Sequence, residues 1–213
     1  MLQSVSFRVA DTDVPGILHL PDGPIVGGVV EMGGGALEDG AFVCEALAAS
    51  GVAALRFAFR VRPEGGRTVD PLSGMADAAA AIRLLRAHPR IPQRVGAVGH
   101  SFGGVIAALA AGRDSRLRAA ALLAAPAERP ELGTIRPPAE LSHTRARVLI
   151  VAAGQDERVA PGEAERYASV LRQAGVVHRL VTIEGADHLF SAAEHRQQML
   201  TELTGWMRSA LEG

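Results

Sequence analysis

What most constrains this chain is the character of its apolar runs. Ile25-Val-Gly-Gly-Val-Val-Glu-Met32 and Val95-Gly-Ala-Val-Gly-His100 are apolar on both faces instead of alternating. A strand of that kind must be covered on both sides, which is the situation of a parallel sheet between two helix layers. The strand candidates are Ser4–Ala10, Ile17–Leu20, Ile25–Glu31, Val52–Phe59, Arg94–His100, Leu117–Ala124, Arg147–Ala152 and Val177–Ile183. Asp13, Pro15 and Gly16 between the first two suit an antiparallel turn. From the third strand on, the connections read as helices: Asp39–Ser50, Leu72–His88, Phe102–Gly112, Gly162–Ala174 and Ala192–Leu211. Gly51, Gly112 and Gly175 stand where helices should stop, and Pro161 suits a first helical turn. The pattern β-β-β-α followed by repeated β-α predicts an α/β fold with a mostly parallel, eight-stranded, doubly wound sheet.

No repeat, low-complexity tract or linker interrupts this pattern, so residues 1–213 are expected to form one domain. Two stretches fit no element, Arg60–Pro71 and Pro126–Arg145. Each follows the carboxyl end of a strand, where such sheets bind ligands, so each is a rim or lid loop or else a solvated connection.

Composition excludes several chemistries. The 22 basic residues are all Arg, against 23 acidic ones, so charge gives no reason to expect nucleic acid or an anionic membrane as partner. Aromatics are 4%, too few for a base-stacking platform. Without Lys there is no phosphate-loop lysine and no Schiff base, and without Asn no Cys-His-Asn triad. The lone Cys44, in a helical apolar pattern, reads as a packed core thiol. No apolar segment approaches the roughly 18 residues of a membrane span, and the first residues, MLQSVSFRVA, lack a signal-peptide pattern; a cytoplasmic location is expected. No His/Asp/Glu cluster has metal-ligand spacing, so no metal or cofactor is expected.

The segment that carries chemistry is Gly99-His-Ser101-Phe-Gly103-Gly104, a G-x-S-x-G between a buried strand and an Ala-rich helix. In that setting the serine sits on a strained turn, with its hydroxyl raised above the sheet edge and a helix N-terminus beneath it. A serine needs a base. Of the seven histidines, His88 ends a helix, His178 begins a strand, His19 lies in the hairpin, His143 in the long connection and His195 in the last helix. His100 is too near Ser101 along the backbone to turn back onto it. His188, in Gly185-Ala-Asp-His188-Leu-Phe190, follows the last strand and opens on the same edge. Asp156, just after the preceding strand, completes the order Ser–Asp–His; Glu128, Glu157 and Asp187 are its rivals. For the oxyanion, the amide of Phe102 and one from Met32-Gly33-Gly34-Gly35-Ala36 are the donors, with Gly34 assigned and Gly35 or Ala36 open. That glycine run lacks the third glycine of a dinucleotide fingerprint, which has Glu38 in its place.

Together, GHSFGG, GQDERVAP and GADHLF in this order resemble the α/β-hydrolase family over nearly the whole chain, and most of all its compact dienelactone-hydrolase-like and acyl-esterase-like members. The resemblance implies an α/β-hydrolase fold with Ser101 as nucleophile, Asp156 as acid and His188 as base, acting on a small acyl ester without a cofactor. Two departures stand out. Met32 replaces the histidine that many members carry before the oxyanion glycines, and the connection from Ala125 to Arg147 is too short for a full cap domain. The second implies a shallow site for small acyl substrates. Thioester, lactone or carbon–carbon cleavage remains open within this fold, and Met32 is the one feature favouring a non-catalytic binding protein. Arg60, Arg62 and Arg67 either meet a substrate anion or pair locally with Glu64 and Asp70; Trp206 and Met207 read as packing against the sheet. The oligomeric state is not readable.

Overall fold

A computed structural model describes residues 1–33, 40–60, 70–160 and 162–212. The strands are β1 (Leu2–Val9), β2 (Thr12–His19), β3 (Gly27–Met32), β4 (Val52–Phe57), β5 (Val95–His100), β6 (Leu117–Leu123), β7 (Arg147–Ala153) and β8 (His178–Ile183). The helices are α1 (Ala41–Ala49), α2 (Pro71–Ala87), α3 (Phe102–Arg113), α4 (Pro137–Leu141), α5 (Gly162–Gln173) and α6 (Ala193–Glu212). They build the expected architecture: one eight-stranded sheet in the order β1-β2-β4-β3-β5-β6-β7-β8. The pairs β1–β2 and β2–β4 are antiparallel and the other five are parallel.

Every residue of β3 and β4 is buried, and β5 is buried up to its last residue, as strands apolar on both faces require. α1 and α6 cover one face, where Leu47, Leu203 and Met207 meet the sheet. α2, α3 and α5 cover the other, around Leu85, Leu109, Tyr167 and Leu171. Each fully buried leucine contributes about 2 kcal/mol of transfer free energy. Tyr167 is wholly enclosed, yet its hydroxyl donates to the Pro126 carbonyl at 2.9 Å. Burial pushes that phenol well above its ordinary range. Cys44 is likewise a core residue, its thiol raised by burial.

Three local expectations are corrected. The β1–β2 turn is the two-residue Ala10-Asp11, with Ala10 at φ 51°, while Pro15 and Gly16 lie inside β2. Pro15 is tolerated there because β2 pairs with β4 only from Gly16 onward, so no second ladder needs its missing N–H. Gly112 stands at the end of α3 as expected, one residue before Arg113, but it is not a left-handed stop: a Cβ there would stand 2.3 Å from the Glu140 carbonyl oxygen of α4. The glycine is the crossing point of two helices. Pro126–Arg145 is accordingly folded, with a single 3-10 turn at Pro130–Leu132 and then α4. Leu132 and Leu141 are buried, and Arg113 clamps Glu140 through Nε and a terminal nitrogen at 2.5 and 2.6 Å. The connection docks on α3 instead of lying over the sheet edge, and no cap domain stands among the described residues.

Among the described residues, no helix is long and apolar enough to cross a membrane.

Candidate active site

The strand order reverses between β3 and β5. From β3 the chain leaves through α1 toward β4, whereas from β5 it leaves through α3 toward β6. The crevice above two such strands is where doubly wound sheets bind ligands, and Ser101 stands at its lip. Ser101 has φ 54° and ψ −119°, far from the helix that begins at the next residue. The turn is held by its N–H donating to Leu123 O at 2.8 Å and its carbonyl accepting from Gly104 N at 3.0 Å. Such a backbone costs on the order of 1–3 kcal/mol and persists only where the surroundings dictate it. Here they do. A Cβ on Gly99 would lie 2.1 Å from Gly103 O, and one on Gly103 would lie 1.4 Å from Met32 O. Only glycine lets the strand, the turn and the end of β3 pack so closely. Ser101 is half-buried, and the amide of Phe102, in the first turn of α3, has no intrahelical acceptor.

Met32 is fully buried in the core beneath this edge. The residues Gly34, Gly35 and Ala36, singled out as second oxyanion donors, lie outside the described residues, as do Arg62 and Arg67.

Across the edge, the loops after β7 and β8 are joined by Gly154 N to Ile183 O at 2.9 Å and Gln155 N to Ala186 O at 2.8 Å. This brings Asp156 and His188 together. His188 Nδ1 lies 2.8 Å from Asp156 Oδ2 and 3.0 Å from Oδ1, with both side chains almost wholly buried. Asp156 Oδ1 also accepts the N–H groups of Arg158 and Val159, each at 2.8 Å. Burial favours the neutral acid, but the hydrogen bonds from His188 and from those two amides outweigh it and hold the carboxyl below its ordinary range. A carboxylate can only accept, so Nδ1 of the neutral imidazole carries the proton and Nε2 keeps its lone pair.

No hydrogen bond joins Ser101 Oγ to His188 Nε2 among the described residues. Such contacts commonly close only around a bound substrate. The strand-to-helix turn at Ser101 (the elbow) and the loop after β8 that bears His188 (the histidine loop) are connected by His100 instead, whose Nε2 donates to the His188 carbonyl at 2.7 Å with the rings 4.8 Å apart. Burial holds the His100 ring below the ordinary imidazole range, against the pull of that bond. In the sequence, His100 shows only that its ring is too near Ser101 to turn back onto it. A signal was present: a side chain with an N–H donor set beside the elbow serine, on the strand end that faces the last loop.

The rival residues are otherwise engaged. Glu128 pairs with Arg166 at 2.8 Å, and the Asp187 carboxylate accepts from Ser191 N at 2.8 Å, bracing the loop. Glu157 Oε2 accepts the His188 N–H at 3.4 Å. Among the other histidines, His19 Nε2 accepts from Arg56 Nε at 3.1 Å, and the His195 ring stands beside Gly185. Arg60 pairs locally, its Nε 2.6 Å from the fully buried Asp77 carboxylate, which also accepts the Arg60 N–H at 3.0 Å. Among the described residues, no group of three His, Cys, Asp or Glu side chains is placed to hold a metal ion.

Comparison with known proteins adds to this geometry. None of the functionally curated proteins matches the chain. Among solved structures, the fold is similar to a dienelactone hydrolase from Anabaena variabilis, at 25% identity and TM-score 0.81 over 99% of this chain and 98% of that one. It is similar to Est1E from Butyrivibrio proteoclasticus at 18% identity and TM-score 0.82, over 99% of both chains. The esterase domain of a Rhodothermus marinus protein superposes with TM-score 0.78 at 22% identity, again over 99% of both. Residues 60–208 match the model of the dienelactone hydrolase family, and the chain is a hydrolase that belongs to that family.

Proposed function

We propose that the protein hydrolyses small acyl esters through an acyl-enzyme on Ser101. Ser101 Oγ attacks the ester carbonyl carbon while its proton passes to His188 Nε2, and the negative charge develops on the former carbonyl oxygen. The Phe102 amide donates to that oxyanion, with the Gly34 amide as the second donor. As the intermediate collapses, the carbon–oxygen bond to the alcohol breaks and His188 returns its proton to the departing oxygen. Water then attacks the acyl carbon, again losing a proton to His188, and the acid leaves with Ser101 restored. Asp156 keeps Nδ1 protonated and stabilises the imidazolium that forms in each half-reaction.

The observation that carries this reading is the contact of both Asp156 oxygens with His188 Nδ1, at 2.8 and 3.0 Å, on the sheet edge where the strained Ser101 stands. The docked α4 connection supports a small substrate, since no cap encloses this edge among the described residues. A second class, the lactone, is supported by the names of the family and of the Anabaena neighbour. It uses the same attack, with the leaving alcohol still tethered to the acyl group. The binding-protein alternative has Met32 as its one support, and that side chain is fully buried in the core.

The deciding experiment is reaction with a fluorophosphonate, read by intact mass and peptide mapping, beside hydrolysis of p-nitrophenyl acetate. A single adduct on Ser101, with hydrolysis lost in Ser101→Ala, is expected. An unmodified folded protein, or an adduct elsewhere, refutes the proposal.

A further inference from the structure

The structure assigns His100 a positioning role: its imidazole N–H holds the main chain at His188 so that the base presents Nε2 to Ser101. This deepens the proposed function and rests on His188 being the base. Three of the four hydrogen-bonding groups of His188 are engaged. Its N–H donates to Glu157 Oε2 at 3.4 Å, from the acid loop. Its Nδ1 donates to Asp156 at 2.8 Å, from the same loop. Its carbonyl accepts from His100 Nε2 at 2.7 Å, from the elbow. Nε2 is the one group of this residue that no hydrogen bond occupies among the described residues.

Of these restraints, only the His100 bond ties the base to the segment that bears the nucleophile. Both acidic partners belong to the β7 loop, so they fix His188 relative to Asp156 and leave its distance from Ser101 open. His100 is covalently joined to Ser101 and crosses 88 residues of sequence to reach the histidine loop. It also fills space: the His188 ring lies 4.8 Å away and Phe190, at φ 51°, stands edge-on at 6.3 Å. A carbonyl only accepts, so Nε2 of His100 carries a proton in either charge state, and the ring cannot serve as acceptor there. The bond is therefore a fixed spacer of about one side-chain length between nucleophile and base. Misplacement of a reacting group by about 1 Å can cost about 10²-fold in rate.

Side-chain length makes this testable, because the amide nitrogen of Gln reaches as far as histidine Nε2 and that of Asn stops about one methylene short. Phe keeps the ring and loses the donor. His100→Phe and His100→Asn are expected to lower kcat for p-nitrophenyl acetate about 10²-fold with little change in KM. Fluorophosphonate labelling of Ser101 should slow in parallel. His100→Gln, which keeps a donor at that reach, is expected to remain within about fivefold of the parent. Packing alone predicts the opposite order, with Phe best tolerated, and that order overturns the role. Should the Phe variant fail to fold, the comparison of Gln with Asn decides alone. A second readout does not need turnover: the far-downfield proton of the His188–Asp156 hydrogen bond in the NMR spectrum. It should persist in His100→Gln and broaden or vanish in His100→Phe and His100→Asn. If the parent protein takes no label, the proposed acyl-enzyme on Ser101 fails, and the resonance still judges the placement of His188. Equal resonances in all three variants refute it.

Discussion

Replacing Asp156 by Asn preserves the shape of the site and changes only which atoms can accept. Oδ1 of Asp156 receives Arg158 N and Val159 N at 2.8 Å each and His188 Nδ1 at 3.0 Å, whereas Oδ2 receives His188 Nδ1 alone, at 2.8 Å. The two backbone donors cannot turn away, so the amide oxygen of Asn must take the Oδ1 place and its NH2 group the Oδ2 place. That NH2 only donates, and it faces His188 Nδ1. Two N–H groups would then oppose each other unless the imidazole moves its proton to Nε2. In that tautomer His188 has no lone pair to receive the Ser101 proton. The expected loss is about 10³–10⁴ in kcat, or roughly 4–5.5 kcal/mol of transition-state stabilisation, with KM nearly unchanged. Stability should fall by no more than about 1–2 kcal/mol, because the backbone amides keep their acceptor. Stopped assays with p-nitrophenyl acetate and a denaturant titration on the same preparation test both halves. A variant whose kcat stays within about tenfold of the parent refutes the assignment of Asp156. A variant that loses stability and activity together, by several kcal/mol, refutes the tautomer argument.

Two further outcomes follow from the packing. Gly103→Ala places a Cβ 1.4 Å from Met32 O, so α3 must separate from β3; a loss of about 3 kcal/mol is expected in chemical denaturation, together with loss of Ser101 labelling. On acidification, stability should fall in two steps in urea titrations between pH 8 and pH 3. His19 and His100 are held below the ordinary imidazole value near 6.5, chiefly by burial, so their contribution is complete above that value and fades as pH drops through their lower folded values. Asp114, Glu140 and Asp156 are held below the ordinary carboxyl value near 4 by Arg86, Arg113 and His188, so theirs is lost only at more acid pH. A single transition confined to the carboxyl range removes the histidine step.

What the sequence made legible, and what it did not, divides along physical lines. Strands apolar on both faces announce a covered parallel sheet, because such a sheet hides IVGGVVEM on both sides, and seven of the eight strands lie within two residues of their expected bounds, while β2 starts five residues early, at Thr12. Asp156 and His188 could be paired because both follow neighbouring parallel strands and so emerge at one edge. Features that depend on another segment were hidden. Gly112 has the appearance of a helix stop, and only the arrival of α4, through Glu140, explains it as a contact. Pro15-Gly16 has turn chemistry, while the real turn is Ala10-Asp11, whose Ala adopts a positive φ that composition does not advertise. That Arg60 is paired was readable as one of two outcomes, but its partner, Asp77, an acid buried inside an Ala-rich helix, was not.

His100 is the most instructive of these. A motif is read locally, by asking what each residue does to the reacting group, and by that question the residue before the nucleophile does nothing. In a parallel sheet, however, the carboxyl ends of strands far apart in sequence converge, so a side chain at one strand end is a short reach from loops it never neighbours in the chain. The bond from His100 to the His188 carbonyl is of that kind. The elbow therefore carries two separable functions on adjacent residues, the strained turn that raises the Ser101 hydroxyl and the donor that sets the distance to its base. Glycine at 99 and 103 serves only the first. It follows that substitutions at 100 should alter rate while leaving the turn intact, whereas substitutions at 99 or 103 should disrupt both.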